Sequence, residues 1–320
     1  MADALSRLGL GTSPLGNLFT EVTDREAGAV IDGAWDAGVR IFDTAPHYGL
    51  GLAEKRLGAA LKDRPRDEFV LSTKVGRLLV PDPSGAGRLD DDGFVVPATT
   101  RRVWDFSADG VRRSLESSLD RLGLDRVDVV YLHDPDDHWE QAAGEALPAL
   151  VELREQGVVG AIGAGMNQWQ MLARFVREST VDTVLLAGRY TLLEQPALAE
   201  LLPLCAERGV DVVAAGLFNS GLLARQDVPD DATYDYRTAP ADVVARARRI
   251  AAVCARHGTT LPAVALWFPF GHPAVTGALI GARSTAELRA NIAAFAEPPP
   301  QGLWADLRDE GLLDAGVPTP

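Results

Sequence analysis

Residues 107–133 read SADGVRRSLESSLDRLGLDRVDVVYLH. The first part, about 107–122, carries apolar residues at helical period. The second, Val127–His133, is a nearly unbroken apolar run, as expected of a strand buried on both faces of a parallel sheet. The same helix-and-strand unit recurs along almost the whole chain. Strands are expected at Leu8–Thr12, Val39–Asp43, Phe69–Lys74, Val127–His133, Val159–Gly163, Thr183–Ala187, Val210–Ala214 and Val275–Ile280. Helices are expected between them, near 24–37, 53–62, 107–122, 140–155, 168–178, 196–208, 241–257 and 285–295. Eight strands, each followed by a helix, predict an α/β chain forming one closed (β/α)8 barrel of TIM type. A doubly wound open sheet is the alternative, but no Gly-rich dinucleotide fingerprint follows the first strand. No linker-like break in composition appears, so residues 1–320 are expected to be a single domain.

Two stretches resist the pattern. From about Val75 to Trp104 the chain is rich in Gly, Asp and Pro, including PDPSGAGRLDDDG, and it is similarly irregular from about Leu217 to Pro240. Both follow strand C-termini, the barrel face on which sites are built, so they are expected to be substrate loops.

The 320 residues carry a formal charge of −14 with 47% hydrophobic and 24% charged residues. That composition suits a globular core, and the acidic balance argues against nucleic-acid or membrane-surface partners. Cys205 and Cys254 each lie in an apolar helical stretch and are expected to be buried thiols. The opening MADALSRLGLGTSP lacks the basic and apolar regions of a secretory signal, and no run is long enough to span a membrane. The expectation is a cytoplasmic protein, monomeric because no amphipathic interface stands out.

Three successive strands deliver ionisable residues to one rim. Asp43-Thr44-Ala45-Pro46-His47-Tyr48-Gly49 runs off the second strand, Lys74 ends the third and His133 ends the fourth. A tyrosine with an ordinary pKa near about 10 is a poor acid or base at neutral pH. A nearby ammonium is expected to lower that pKa, and a carboxylate beside the lysine keeps the ammonium charged. A histidine can orient a substrate oxygen or relay its proton. Asp43, Lys74, Tyr48 and His133 supply those parts for hydride chemistry at a carbonyl or alcohol carbon. Taken alone, Lys74 could also serve as a Schiff-base nucleophile.

The sequence resembles the aldo-keto reductases over essentially its full length, through LGLGTSPLG, FDTAPHYGLGLAEKRLGAAL, STKVG, LDRVDVVYLHDPD, IGAGMN and LIGARSTAELRANI. The resemblance implies a (β/α)8 barrel that binds NAD or NADP without a Rossmann motif, and a catalytic tetrad at Asp43, Tyr48, Lys74 and His133. It implies nicotinamide contacts at Met166 and Asn167, with Ala187 where the family usually carries a glutamine. It also implies further cofactor contacts at Gly11, Thr12, Leu217, Phe218, Asn219 and Gly221. Near Ala215 the family commonly has an aromatic stacked on the nicotinamide, and Phe218 is the expected substitute. The adenosine end is expected at Gly281, Arg283, Ser284, Glu287 and Asn291. Glu287 favours NAD, since a carboxylate repels a 2′-phosphate, whereas Arg283 suits one.

Within the family the resemblance is to aldose dehydrogenases acting on L-fucose and related D-threo-aldoses. The substrate is therefore expected to be a sugar or another small carbonyl compound. Carbonyl reduction, pyridoxal oxidation and a non-enzymatic nicotinamide-binding sensor are the alternatives. His47, Trp104, Asp134, Trp139 and Asn219 are the candidate substrate contacts. No metal is expected, despite His138 and the Asp134–Asp137 cluster, because hydride transfer needs none.

Overall fold

The computed structural model describes residues 5–320. Eight strands close into a barrel: β1 (Leu8–Gly11), β2 (Ile41–Asp43), β3 (Val70–Val75), β4 (Val127–His133), β5 (Val159–Met166), β6 (Thr183–Ala187), β7 (Asp211–Ala215) and β8 (Val275–Gly281). Every neighbouring pair is parallel, and β1 pairs with both β2 and β8 to complete the ring. The expected β4 and β6 are met at both ends, and the other six shift by a few residues at one or both ends. The largest difference is β5, which runs on to Met166. Its extension is glycine-permitted: a Cβ on Gly163 would lie 1.8 Å from the Thr183 carbonyl oxygen of β6.

The helix of the opening stretch, Ala108–Leu122, buries Val111, Ser114, Leu115, Ser118 and Leu122 as one stripe. Ser107 caps its start by accepting from the Gly110 N–H, and Gly123 ends it at φ 67°. The helix expected at 140–155 begins as Trp139–Gln141, widens into a π turn over Ala142–Ala146 and continues as Leu147–Glu155. Pro148 has no N–H to donate backward, and the wider turn sits just ahead of it. Two short helices, Leu261–Trp267 and Gly302–Asp309, are additional to those expected.

The two irregular stretches are more ordered than their composition suggests. Arg77–Pro81 pairs antiparallel with Thr100–Trp104, and the Leu18–Phe94 bridge ties this excursion to the loop after β1. In the second, Thr233–Tyr234 pairs with Arg237–Thr238 around a two-residue turn, Asp235-Tyr236, with φ 47° and 61°. Short strands set among Gly, Pro and charged residues leave little periodicity to read. Cys205 and Cys254 are buried and free. Among the described residues, no helix is long and apolar enough to cross a membrane.

One polar contact braces the C-terminal rim from behind. Glu54, on helix Leu52–Leu61, is fully buried and accepts from Thr73 Oγ1 of β3 at 2.8 Å and from Arg121 Nε at 2.6 Å. A buried carboxylate stripped of its cation is costly, so Arg121→Met should destabilise by roughly 3–5 kcal/mol. Adding Glu54→Gln should recover part of that loss. Urea denaturation of the single and double variants checks the coupling, and additive losses would show that the pair does not act as a unit.

Candidate functional site

The C-terminal ends of β2, β3 and β4 bring Asp43, Lys74 and His133 together, all of them buried. Lys74 Nζ donates to Asp43 Oδ2 at 2.7 Å and to the Thr44 carbonyl at 3.0 Å. The other Asp43 oxygen accepts from Ser72 Oγ at 2.7 Å. The Lys74 ammonium also lies 4.8 Å from the centroid of the Tyr48 ring. His133 meets that ring edge-on, with centroids 5.9 Å apart. The four residues singled out from the sequence thus form one cluster.

Tyr48 is carried by a turn rather than a strand, closed by its N–H bonding to the Ala45 carbonyl at 3.1 Å. The following Gly49 has φ 62° and lies against Gly16, where a Cβ would sit 2.3 Å from the Gly16 carbonyl oxygen. A Cβ on Gly16 would in turn lie 2.7 Å from the Tyr48 carbonyl carbon. Only two glycines permit this approach.

Electrostatics correct one expectation. Burial pushes the Tyr48 phenol up to about 12, outweighing the opposing pull of Lys74. The phenol is therefore held as a proton donor rather than primed as phenolate. Burial alone would lower the Lys74 pKa, but Asp43 and Tyr48 together raise it, so the ammonium stays charged. Burial holds His133 neutral, with the cations Arg77 and Lys74 acting in the same direction. His133 Nδ1 is buried with no hydrogen-bond partner.

These groups line a cavity of about 590 Å³. It runs from Asp43, Tyr48, Lys74 and His133 past Met166, Asn167, Ala187 and Ala215 to Gly11 and Gly281. Asn167 Nδ2 donates to the Ala187 carbonyl at 2.9 Å, which fixes the amide and leaves Oδ1 to accept. His47 and Asp134, both expected as contacts, also line the cavity.

Other expected residues lie elsewhere. Thr12 is spent on structure, its hydroxyl donating to the Asp43 carbonyl at 3.0 Å. Leu217, Phe218, Asn219 and Gly221 do not line the cavity. Asn219 faces Glu194 instead, with its Nδ2 3.2 Å from Glu194 Oε1 and its own Oδ1 buried and unpaired. Phe218, the aromatic expected to stack on the nicotinamide, follows Gly216 (φ 65°), which is itself part of the cavity wall. Trp104 lines an adjoining cavity that shares Arg77, Asp134 and Asn167 with this one, and the Arg77 guanidinium lies over one face of its exposed ring at 4.2 Å. Trp139 packs on Phe175 and Arg174, away from the site.

At the far end, Ser284 caps helix Thr285–Phe295, and Asn291 Nδ2 donates to the Gly281 carbonyl at 3.2 Å. Arg283 is paired with Glu287 at 2.8 Å. Among the described residues, no group of three or more His, Cys, Asp or Glu could hold a metal ion.

Sequence reasoning missed part of the wall. Arg77, Asp92 and Phe94 come from the first long loop, Phe19 from the loop after β1 and Tyr236 from the second long loop. Phe19 and Tyr236 approach across the rim with ring centroids 6.4 Å apart. The second loop is fastened by Arg189, which donates to both Asp235 oxygens at 3.0 and 3.1 Å, and by Tyr234, which donates to Glu194 at 2.8 Å. The only advance signal was position: two long insertions after barrel strands.

Comparison with known proteins agrees with this geometry. A D-threo-aldose 1-dehydrogenase of a Pseudomonas species is 49% identical over 320 residues, covering 99% of this chain and 96% of the relative. A pyridoxal 4-dehydrogenase of Microbacterium luteolum is 39% identical, covering 97% of this chain and 95% of the relative. Among solved structures, an aldo-keto reductase of Bacillus halodurans in its holo form superposes with TM-score 0.75 at 26% identity, covering 97% of this chain and 93% of that one. Residues 7–309 match the model of the Aldo/keto reductase family, and with the barrel and the polar cluster at its C-terminal rim, the chain belongs to that family of oxidoreductases.

Proposed function

We propose that this chain is an NAD-preferring aldose 1-dehydrogenase, active on sugars of the L-fucose or D-threo type, with Tyr48 as its acid/base. The observation that carries the chemistry is the buried Lys74–Asp43 pair set against Tyr48 and His133. The name of the Pseudomonas relative, at 49% identity, supports the choice of substrate. Oxidised and reduced nicotinamide would supply the hydride acceptor and donor. The residues present fit that group: Asn167 Oδ1 is an acceptor on the cavity wall, and His133 Nδ1, on the same wall, is buried without a partner. The first N–H groups of helix Thr285–Phe295 suit a phosphate.

In this reading Tyr48 exchanges a proton with the reacting oxygen, taking it from the anomeric hydroxyl in oxidation and returning it in reduction. Lys74 steadies the phenolate as it forms, and Asp43 keeps Lys74 charged. His133, held neutral, orients the same oxygen. The aromatic rim of Phe19, Phe94 and Tyr236 would equally accept a flat pyridine ring, which keeps pyridoxal as the second reading. Purified protein assayed with NAD and NADP against L-fucose, other aldoses and pyridoxal separates them, and a higher kcat/KM for pyridoxal overturns the aldose assignment.

Tyr48→Phe should lower kcat by about 10²–10⁴-fold while cofactor binding, followed by fluorescence titration, is retained. A variant as fast as the parent would remove Tyr48 from the mechanism. The raised phenol pKa sets the pH dependence. Below about pH 12 the donor form dominates, so carbonyl reduction should lose nothing through Tyr48 as pH rises from about 7 to about 10. Oxidation needs the scarce base form and should accelerate over the same interval. Initial rates in both directions check the sign, and oxidation that slows with rising pH contradicts it.

Cofactor preference follows from Glu287. Burial would raise its pKa, but hydrogen bonds from Arg283 hold it below the ordinary value, so it stays ionised and occupies the guanidinium. Glu287→Ala should raise kcat/KM for NADP relative to NAD by about tenfold. A parent that already prefers NADP strongly would refute the role given to this carboxylate.

A further inference from the structure

Beyond helping to keep His133 neutral, Arg77 has no role in the chemistry above, yet it sits on the cavity wall and bonds to two other wall residues. It opens the hairpin strand Arg77–Pro81, three residues beyond Lys74. One arm, Nη1, donates to His47 Nδ1 at 3.2 Å. The other, Nη2, donates to Asp134 Oδ2. Trp104, its register partner across the hairpin, covers the guanidinium face at 4.2 Å. The group is thus clamped on one side and committed at both ends.

That commitment fixes a tautomer. A guanidinium has donors only, so His47 Nδ1 must present its lone pair and the ring proton must sit on Nε2. His47 is also neutral: burial, then Arg77, Arg102 and Lys74, push its pKa down to about 2. Among the described residues Nε2 has no partner. The rings of His47, Tyr48 and His133 form a near-equilateral set, with centroids 6.0, 5.5 and 5.9 Å apart. All three rings line the one cavity, so a small molecule held between Tyr48 and His133 has His47 as its third neighbour. Asp134 supplies an acceptor on the same wall.

We propose that Arg77 is a positioning residue that, by gripping His47 and Asp134 together, sets a donor and an acceptor for the hydroxyl on the carbon adjoining the reacting one. The substrate class this selects is the α-hydroxy carbonyl compound or its hydrated or cyclic form. The inference rests on Tyr48 as the reacting centre, and it does not require that the substrate be an aldose.

The test compares reduction of glyceraldehyde, which carries the adjoining hydroxyl, with reduction of propanal, which lacks it. The parent should favour glyceraldehyde by at least about 10²-fold in kcat/KM, since a site that hydrogen-bonds a hydroxyl rejects the analogue lacking it. Arg77→Lys keeps the charge but cannot hold both partners from one point. It should cut that ratio by about tenfold, with the loss in KM for glyceraldehyde rather than in kcat. Asp134→Asn should cut the ratio similarly, and it decides the matter if Arg77→Lys fails to fold, as judged by fluorescence titration with the reduced cofactor. A parent ratio near one, a parent that reduces neither compound, or ratios in both variants within about twofold of the parent's would overturn the proposal. Failure of the parent to oxidise L-fucose while the ratio behaves as stated would instead remove only the aldose assignment.

Discussion

Lys74 and Asp43 are opposite charges held 2.7 Å apart, in side chains almost wholly removed from water. Burying either alone would be prohibitive, so each makes the other's presence tolerable. The constraint reaches outward. Asp43 can sit there only because Ser72 satisfies its second oxygen, and Lys74 only because the Thr44 carbonyl takes another of its protons. Register between β2 and β3, which pairs Asp43 with Ser72, is what brings these atoms together. A slip of one residue would turn each side chain to the other face of its strand.

The site is thereby divided into a rigid floor and an attached rim. The floor consists of strand ends, and its partners are short-range and buried. The rim is made by loops joined to one another through contacts that are partly buried or exposed: Arg102 to Asp90 and the His47 carbonyl, Arg189 to Asp235, Phe19 to Tyr236. Chemistry belongs to the floor, which carries the charges that move a proton. Selection belongs to the rim, which carries the aromatic faces and the Arg77 grip. One barrel can in this way change what it accepts without disturbing how it reacts.

Much of the floor was legible in sequence. Apolar runs gave the strands, and Asp43, Lys74 and His133 could be placed because each stands at or near the end of such a run. Tyr48 followed from the turn next to Asp43. The rim was not legible for a physical reason. Arg77 and Phe94 lie in a segment whose structure comes from pairing across distant residues, such as Leu18 with Phe94, and Tyr236 in a tight turn held by Arg189 through Asp235; no local period records either. The same blindness made Asn219 look available, when it faces a carboxylate. The sign of the Tyr48 shift also depended on burial, which composition does not reveal.

The turn that presents Tyr48 is located by the contact of Gly16 with Gly49, two residues without side chains. Its position is thus set by missing atoms. Neither glycine offers a functional group to a bound molecule, yet a methyl group on either would have to move backbone rather than a side chain. Variation at this site is therefore bounded from behind as strictly as from within. The residues least free to change include ones that no inventory of functional groups would contain.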